Sequence, residues 1–212
     1  MAINAKKTSL MCVSAASSFQ AKVRVNVQGQ AVCGADSLKI LGVTLDSQVS
    51  FATHTENIAR KLRAKTWTLG RLKKIGHDET KLLRVYKCLI RPTAEYAAPA
   101  WHSLLTAGQA ALLERQQSAA LRHIYGQGIS AAKMRAKGNI DLLSTRRETL
   151  VKKFANKSLT NPRCKHWFNR RVTPSYTRRS SVSYPIYREN FARTDRHRNS
   201  PMNYLVRKLN EQ

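Results

Sequence analysis

The stretch Leu38-Lys39-Ile40-Leu41-Gly42-Val43-Thr44-Leu45-Asp46, followed by Phe51 and His54, decides how the rest of the chain is read. Its apolar residues run closely enough for a strand over 38–45, and Gly42 supplies a bend. Asp46 favours a turn, because its carboxylate accepts hydrogen bonds from the backbone just ahead. Beyond the turn the apolar period changes. Ile58, Leu62, Leu69 and Leu72 share one face at 3.6-residue spacing from Thr53 to about Ile75, with Phe51 just ahead of them. A strand, a polar turn and an amphipathic helix entered at a fixed angle are the expectation.

Upstream of this block the chain reads as short strands. Leu10 to Ser14 is the first, and the strict alternation of Lys22-Val23-Arg24-Val25-Asn26-Val27 marks a half-buried second. Gln28-Gly29-Gln30 is a hairpin signal that returns Ala31-Val32-Cys33 against it. So few strands make a sheet that is weak alone.

Downstream the pattern is helical. Gly76-His77-Asp78 closes the first helix, and Asp78 is placed to N-cap the second. There Leu82, Val85, Tyr86, Leu89, Ile90 and Tyr96 make a wide apolar face, and Pro92 is predicted to kink the helix or end its first half. A third helix runs from about Ala107 to Tyr125, with Leu113, Ala120, Leu121 and Ile124 inward. Gln117 lies among them, and a buried amide there must find hydrogen-bond partners. Gly126 and Gly128 break the chain before helices near Ser130–Lys137 and Leu142–Leu159. Apolar periodicity is lost between Arg163 and Asn199, which reads as an extended or disordered arm. Ser200-Pro201 then opens a short amphipathic helix carrying Met202, Leu205, Val206 and Leu209. The fold class is α+β, mainly α: small antiparallel strands over 1–50, a helical bundle over 51–160, a basic arm over 161–199 and a terminal helix over 200–212.

Charge narrows the partner. The chain carries 38 Lys and Arg against 12 Asp and Glu, a net charge of +26. A field of that sign draws polyanions, so nucleic acid leads and an anionic membrane comes second. From residue 141 onward 17 Lys and Arg stand against 5 Asp and Glu, so basic density rises along the chain. No uninterrupted apolar run approaches the ~20 residues of a spanning helix, and Met1 to Ser18 lacks the order of a secretory signal. Cys12, Cys33, Cys88 and Cys164 have no zinc-site spacing. Reduced thiols and an intracellular location, nuclear or cytoplasmic, are the expectation.

Catalytic motifs are missing. There is no Asp-Asp pair to hold two Mg²⁺ ions, no GxSxG elbow, no Walker loop and no HExxH pair. The aspartates at 36, 46, 78, 141 and 195 look capping or turn-like. The histidines at 54, 77, 102, 123, 166 and 197 are dispersed and read as caps or surface residues.

Binding residues do cluster. At 100° per residue Arg60, Arg63, Trp67, Arg71 and Lys74 gather opposite the Ile58/Leu62/Leu69 face. An aromatic centred in a basic stripe suits a reader of phosphate backbone with one stacking contact. The competing reading packs Trp67 under the arm or against another part of a larger protein. Arg84, Lys87 and Arg91 form a second polar face, and Lys65 falls near the apolar stripe, where its stem would snorkel. In the arm Arg170, Arg171, Arg178, Arg179, Arg188, Arg193, Arg196 and Arg198 are interleaved with Trp167, Phe168, Tyr176, Tyr184, Tyr187 and Phe191. Such a segment can pair phosphates, stack on unpaired bases and order on binding; a solvated tail without a specific partner is the alternative.

The ordered set of motifs resembles a known family. The block from Leu38 to His54 is similar to the "KYLGVxLD…F…H" segment of reverse transcriptases of non-LTR (LINE-type, jockey-like) retrotransposons, where it joins palm to thumb. Asn4-Ala5-Lys6-Lys7-Thr8 with Met11 resembles "N..KT..M", and Tyr96 to Trp101 resembles "Y..p.W". Leu113-Glu114-Arg115-Gln116-Gln117 with Ala120 to Gly126 is similar to "LE..Q..alR.I.G". Arg193 to Asn210 resembles the "dR…SP…yL…LN" terminus. The resemblance implies the palm edge, the primer-gripping strand and turn, a helical thumb and a basic tail, with Lys7 near the incoming nucleotide. It implies a role in holding a primer–template duplex of RNA, DNA or RNA/DNA hybrid. The parent reaction transfers deoxynucleotides to a primer 3′-hydroxyl with two Mg²⁺ ions; this chain lacks the catalytic aspartates, so no cofactor and no polymerase activity of its own are expected. The chain would then begin inside the palm.

Two other readings stand beside it. An amphipathic helix set with a basic arm would equally serve a host nucleic-acid-binding or interaction module with no polymerase activity. The 41–72 region also resembles a short segment assigned to the amino-terminal part of an alkylated-DNA-repair dioxygenase. No iron-binding His-x-Asp…His set accompanies it, so it implies no oxidation chemistry.

Overall fold

A computed structural model describes residues 4, 7–13, 23–168, 170 and 186–211. Strand β1 (Arg24–Val27) pairs antiparallel with β2 (Gln30–Cys33) through a turn at Gln28 and Gly29. Leu10 bridges Gly34, so the expected first strand is a single contact as far as it is described, and Ser14 lies outside the described residues.

The decisive block differs from its expected form. Residues 38–45 are a hairpin rather than one strand: β3 (Ser37–Ile40) turns back on β4 (Val43–Asp46), with Leu38 opposite Leu45 and Ile40 opposite Val43. Leu41 and Gly42 both hold positive φ, +46° and +87°, the signature of a type I′ turn, whose twist matches that of the strands. The tyrosine ring of residue 96 enforces the glycine as well: a Cβ at position 42 would stand 3.2 Å from Tyr96 Cε1.

From Asp46 the chain enters α1 (Ala52–Lys74) through a tied joint. Asp46 Oδ1 accepts from the Gln48 and Ser50 amides at 3.1 and 2.7 Å, and Oδ2 accepts from the Ser50 hydroxyl at 2.9 Å. These bonds hold Val49 and Phe51 at φ +55° and +56°, a conformation that costs a side-chain-bearing residue energy and persists only where surroundings over-determine it. Gln109 adds a bond to the Ser50 carbonyl at 3.1 Å. The expected role of Asp46 as a turn residue holds.

The core is built around α1 and α5 (Ala107–Tyr125). Phe51, Ile58, Leu62 and Leu69 pack with Leu113, Ala120, Leu121 and Ile124, and Leu72 joins from the edge. A second helical run covers this pair. Asp78 caps α2 (Glu79–Val85) by accepting from the Lys81 amide. A π-helical turn over Tyr86–Ile90 leads into α3 (Arg91–Glu95). Pro92 therefore neither ends nor simply kinks the run. Proline has no N–H for the carbonyl four residues back and crowds it, and the widened turn just before it absorbs the misfit. Leu82, Tyr86 and Ile90 face the core as expected, whereas Leu89 and Tyr96 are exposed. Gln117 is buried with both ends satisfied: the Tyr86 hydroxyl donates to its Oε1 at 2.6 Å, and its Nε2 donates to the Asp141 carbonyl at 3.0 Å.

Helices α4 (Ala98–Trp101), α6 (Ala131–Gly138) and α7 (Leu143–Thr160) complete this layer. Two histidines are structural rather than caps or surface groups. His54 is buried between Phe51 and Trp101, and its Nδ1 accepts from the Thr44 amide at 3.2 Å. Burial, with Lys61 nearby, holds its pKa below the ordinary histidine value. His102 Nδ1 accepts from Arg147 Nε at 3.3 Å, and Arg147 is fully buried with its guanidinium over the Trp101 ring.

A smaller core follows. α8 (Asp195–Arg198) precedes α9 (Pro201–Asn210), whose Leu205, Val206 and Leu209 pack with Val151 and Ala155 of α7 and with Phe168. The described ends of the arm are thus anchored: Phe168 is buried, Arg170 bridges Tyr187, and Asn203 exchanges hydrogen bonds with the Asn190 backbone. Residues 171–185 lie outside the described residues. Ser200 precedes Pro201 as expected but makes no side-chain cap.

Candidate nucleic-acid interface

Helix α1 buries one stripe and shows the other. Because Ile58, Leu62 and Leu69 point into the core, helical geometry turns Arg60, Arg63, Trp67, Arg71 and Lys74 outward, and all five are exposed. None of these four cations pairs with a carboxylate among the described residues. Trp67 is 64% exposed, so it does not pack under the arm in the described structure. The Arg71 guanidinium stacks on its ring, 4.8 Å from the centroid.

The β3–β4 hairpin stands beside this helix. The Tyr96 hydroxyl donates to the Leu41 carbonyl at 2.8 Å and fixes the turn. Leu41 is 87% exposed at the tip, next to a half-exposed Ile40. Between hairpin, α1 and the π-helical turn lies a cleft of about 630 Å³, whose lining includes Lys39, Lys61 and Lys65. Lys65, expected to snorkel, instead ties its ammonium to the second helical run, donating to the Leu89 carbonyl and the Thr93 hydroxyl at 3.0 and 2.7 Å.

The other predicted contacts are distributed unevenly. Lys7 is exposed on the amino-terminal segment, which joins the β1–β2 hairpin through Leu10 rather than α1. Arg170 is exposed beside Tyr187, and Arg171, Arg178 and Arg179 lie outside the described residues. Arg196 donates from its guanidinium to the Gln48 carbonyl, which brings the arm to the joint ahead of α1. On the second polar face Lys87 donates to the Gly138 carbonyl at 3.2 Å, and Arg91 approaches Glu95. The residues missed from sequence are Leu41 as a projecting tip, Tyr96 as its latch, and Lys39 and Lys61 on the cleft wall. Tyr96 opens the Tyr96–Trp101 motif, but its partner is 55 positions away.

The arrangement can meet an extended anion, and the nearby aspartates have local partners. Asp46 and Asp78 are spent on the joint and on the α2 cap, and Asp195 pairs with Arg198. Among the described residues no three His, Cys, Asp or Glu side chains are grouped to hold a metal ion. Among them, too, no helix is long and apolar enough to cross a membrane. Comparison with protein-family models gave no match, and comparisons with curated proteins and solved structures gave no significant match.

Proposed function

We propose that this chain binds nucleic acid through its sugar–phosphate backbone, as a thumb-like grip of the kind the non-LTR reverse-transcriptase resemblance implies, and extends no primer itself. The observation that carries the reading is the solvent face of α1, where four cations with no acidic partner among the described residues flank an exposed Trp67. Residues three and four apart on a helix are neighbours, so this face presents a line of charge to a strand of phosphates. The hairpin tip and its lysine-lined cleft extend the line beyond the helix. The tied joint at Asp46 to Phe51 supports the same reading, because a grip works only if strand turn and helix keep a fixed angle.

Binding of a labelled duplex measured from 50 to 200 mM salt tests it. Four phosphate contacts give a log–log salt slope of roughly −4, and Arg63→Ala reduces its magnitude by about one while weakening all sequences alike. Affinity indifferent to salt would remove the backbone grip. Strong preference for one sequence would instead favour the independent binding module.

A further inference from the structure

At the carboxyl end of α1 the same face carries a second feature, a pocket of about 510 Å³ lined by Trp67, Gly70, Arg71, Lys73, Lys74 and His123. We infer that this pocket takes an unpaired nucleobase, so that the grip holds a duplex with a single-stranded extension in preference to a blunt one. This deepens the backbone-binding reading and rests on it.

Four observations converge. An indole left 64% exposed is a large apolar plane facing water, the kind of surface that marks a binding site when it is rimmed by polar groups. Arg71 lies over it at 4.8 Å and limits the ring's freedom. Lys73 is fixed as well, donating to the Ile124 carbonyl at 2.9 Å. Gly70 admits His123 against α1: a Cβ there would stand 3.1 Å from His123 Nδ1, so the imidazole would have to give by a few tenths of an ångström. The lining is thus two aromatic rings with cations and no carboxylate. That chemistry matches a flat base attached to a phosphate. A base inside a duplex has both faces covered by its neighbours, whereas an unpaired base offers a face for stacking.

The test compares duplexes that carry a short 5′ or 3′ overhang with a blunt duplex of equal phosphate number, in DNA and RNA forms, at one salt concentration. The wild-type chain should bind an overhang roughly tenfold tighter. Trp67→Ala should abolish the preference by weakening overhang binding several-fold more than blunt-duplex binding, while Trp67→Phe keeps part of it. Gly70→Ala, which changes no charge, should also reduce it by displacing His123. Equal binding of blunt and overhang duplexes by the wild type, or equal weakening of both by Trp67→Ala, would overturn the inference. If no duplex binds, the backbone grip fails. Quenching of the Trp67 emission by a short single strand, taken as the difference from Trp67→Phe, then decides the pocket alone: quenching upholds it and its absence ends it.

Discussion

Gln117 shows how far a single residue could be read. Its place on the inner face of α5 required a hydrogen-bonded amide, since an unsatisfied one in a core is costly. The partners could not be named, because Tyr86 and the Asp141 carbonyl come from other elements. Burial pushes the Tyr86 hydroxyl above its ordinary pKa, so it stays a neutral donor. Tyr86→Phe leaves Gln117 Oε1 without its bond and should cost about 1–3 kcal/mol in urea unfolding. Tyr86→Phe with Gln117→Leu should cost less than the sum of the singles, because residues in one buried network couple; additive losses would count against the pairing. Asp46 was legible for a different reason: its bonds reach residues only two and four positions on. His54 and His102 were not, because Trp101 beside the one and Arg147 and Tyr204 beside the other are far away in sequence.

Among the elements, the central hairpin was the least legible and α5 the most. α5 carries its own signals, a Thr106/Gln109 capping box ahead of a regular apolar period and Gly126 after it. The hairpin hides its turn. A type I′ turn usually declares itself by Asn-Gly or Asp-Gly, and here leucine takes the first position, so apolar residues run on through it. That leucine holds a left-handed backbone and is almost wholly exposed, so nothing inside the fold rewards it. Leu41→Asn should therefore raise stability by about 1 kcal/mol in thermal or urea melts while weakening nucleic-acid binding. A stability loss would show that Leu41 packs within the fold, and unchanged binding would show that the tip contacts no ligand. Pro92 was seen as a disturbance of its helix, but the widened turn that accommodates it depends on register that no residue type declares.

At the scale of the whole molecule, the two cores meet at His102. Its imidazole faces the Tyr204 ring of α9 and accepts from Arg147 of α7. Burial, then Arg147 and Lys208, lower its pKa from 6.5 to about 4. The unfolded chain therefore takes up this proton first as pH falls. The stability tied to a neutral His102 is full above pH 6.5 and is lost as pH drops toward 4, on the order of 3 kcal/mol by the end of that window. His54 shifts in the same direction. Melting temperature should fall from pH 7 to pH 4.5, and His102→Asn should flatten part of the decline. A flat wild-type profile would show that the seam holds no neutral histidine. The smaller core at that seam has a consequence in time as well as in space. A growing chain makes Val151, Ala155 and Phe168 well before Leu205, Val206 and Leu209. Until synthesis reaches α9, an oily face stays open to water and to other chains. During that interval this face is the part of the nascent chain most open to aggregation, although the larger core can already have closed.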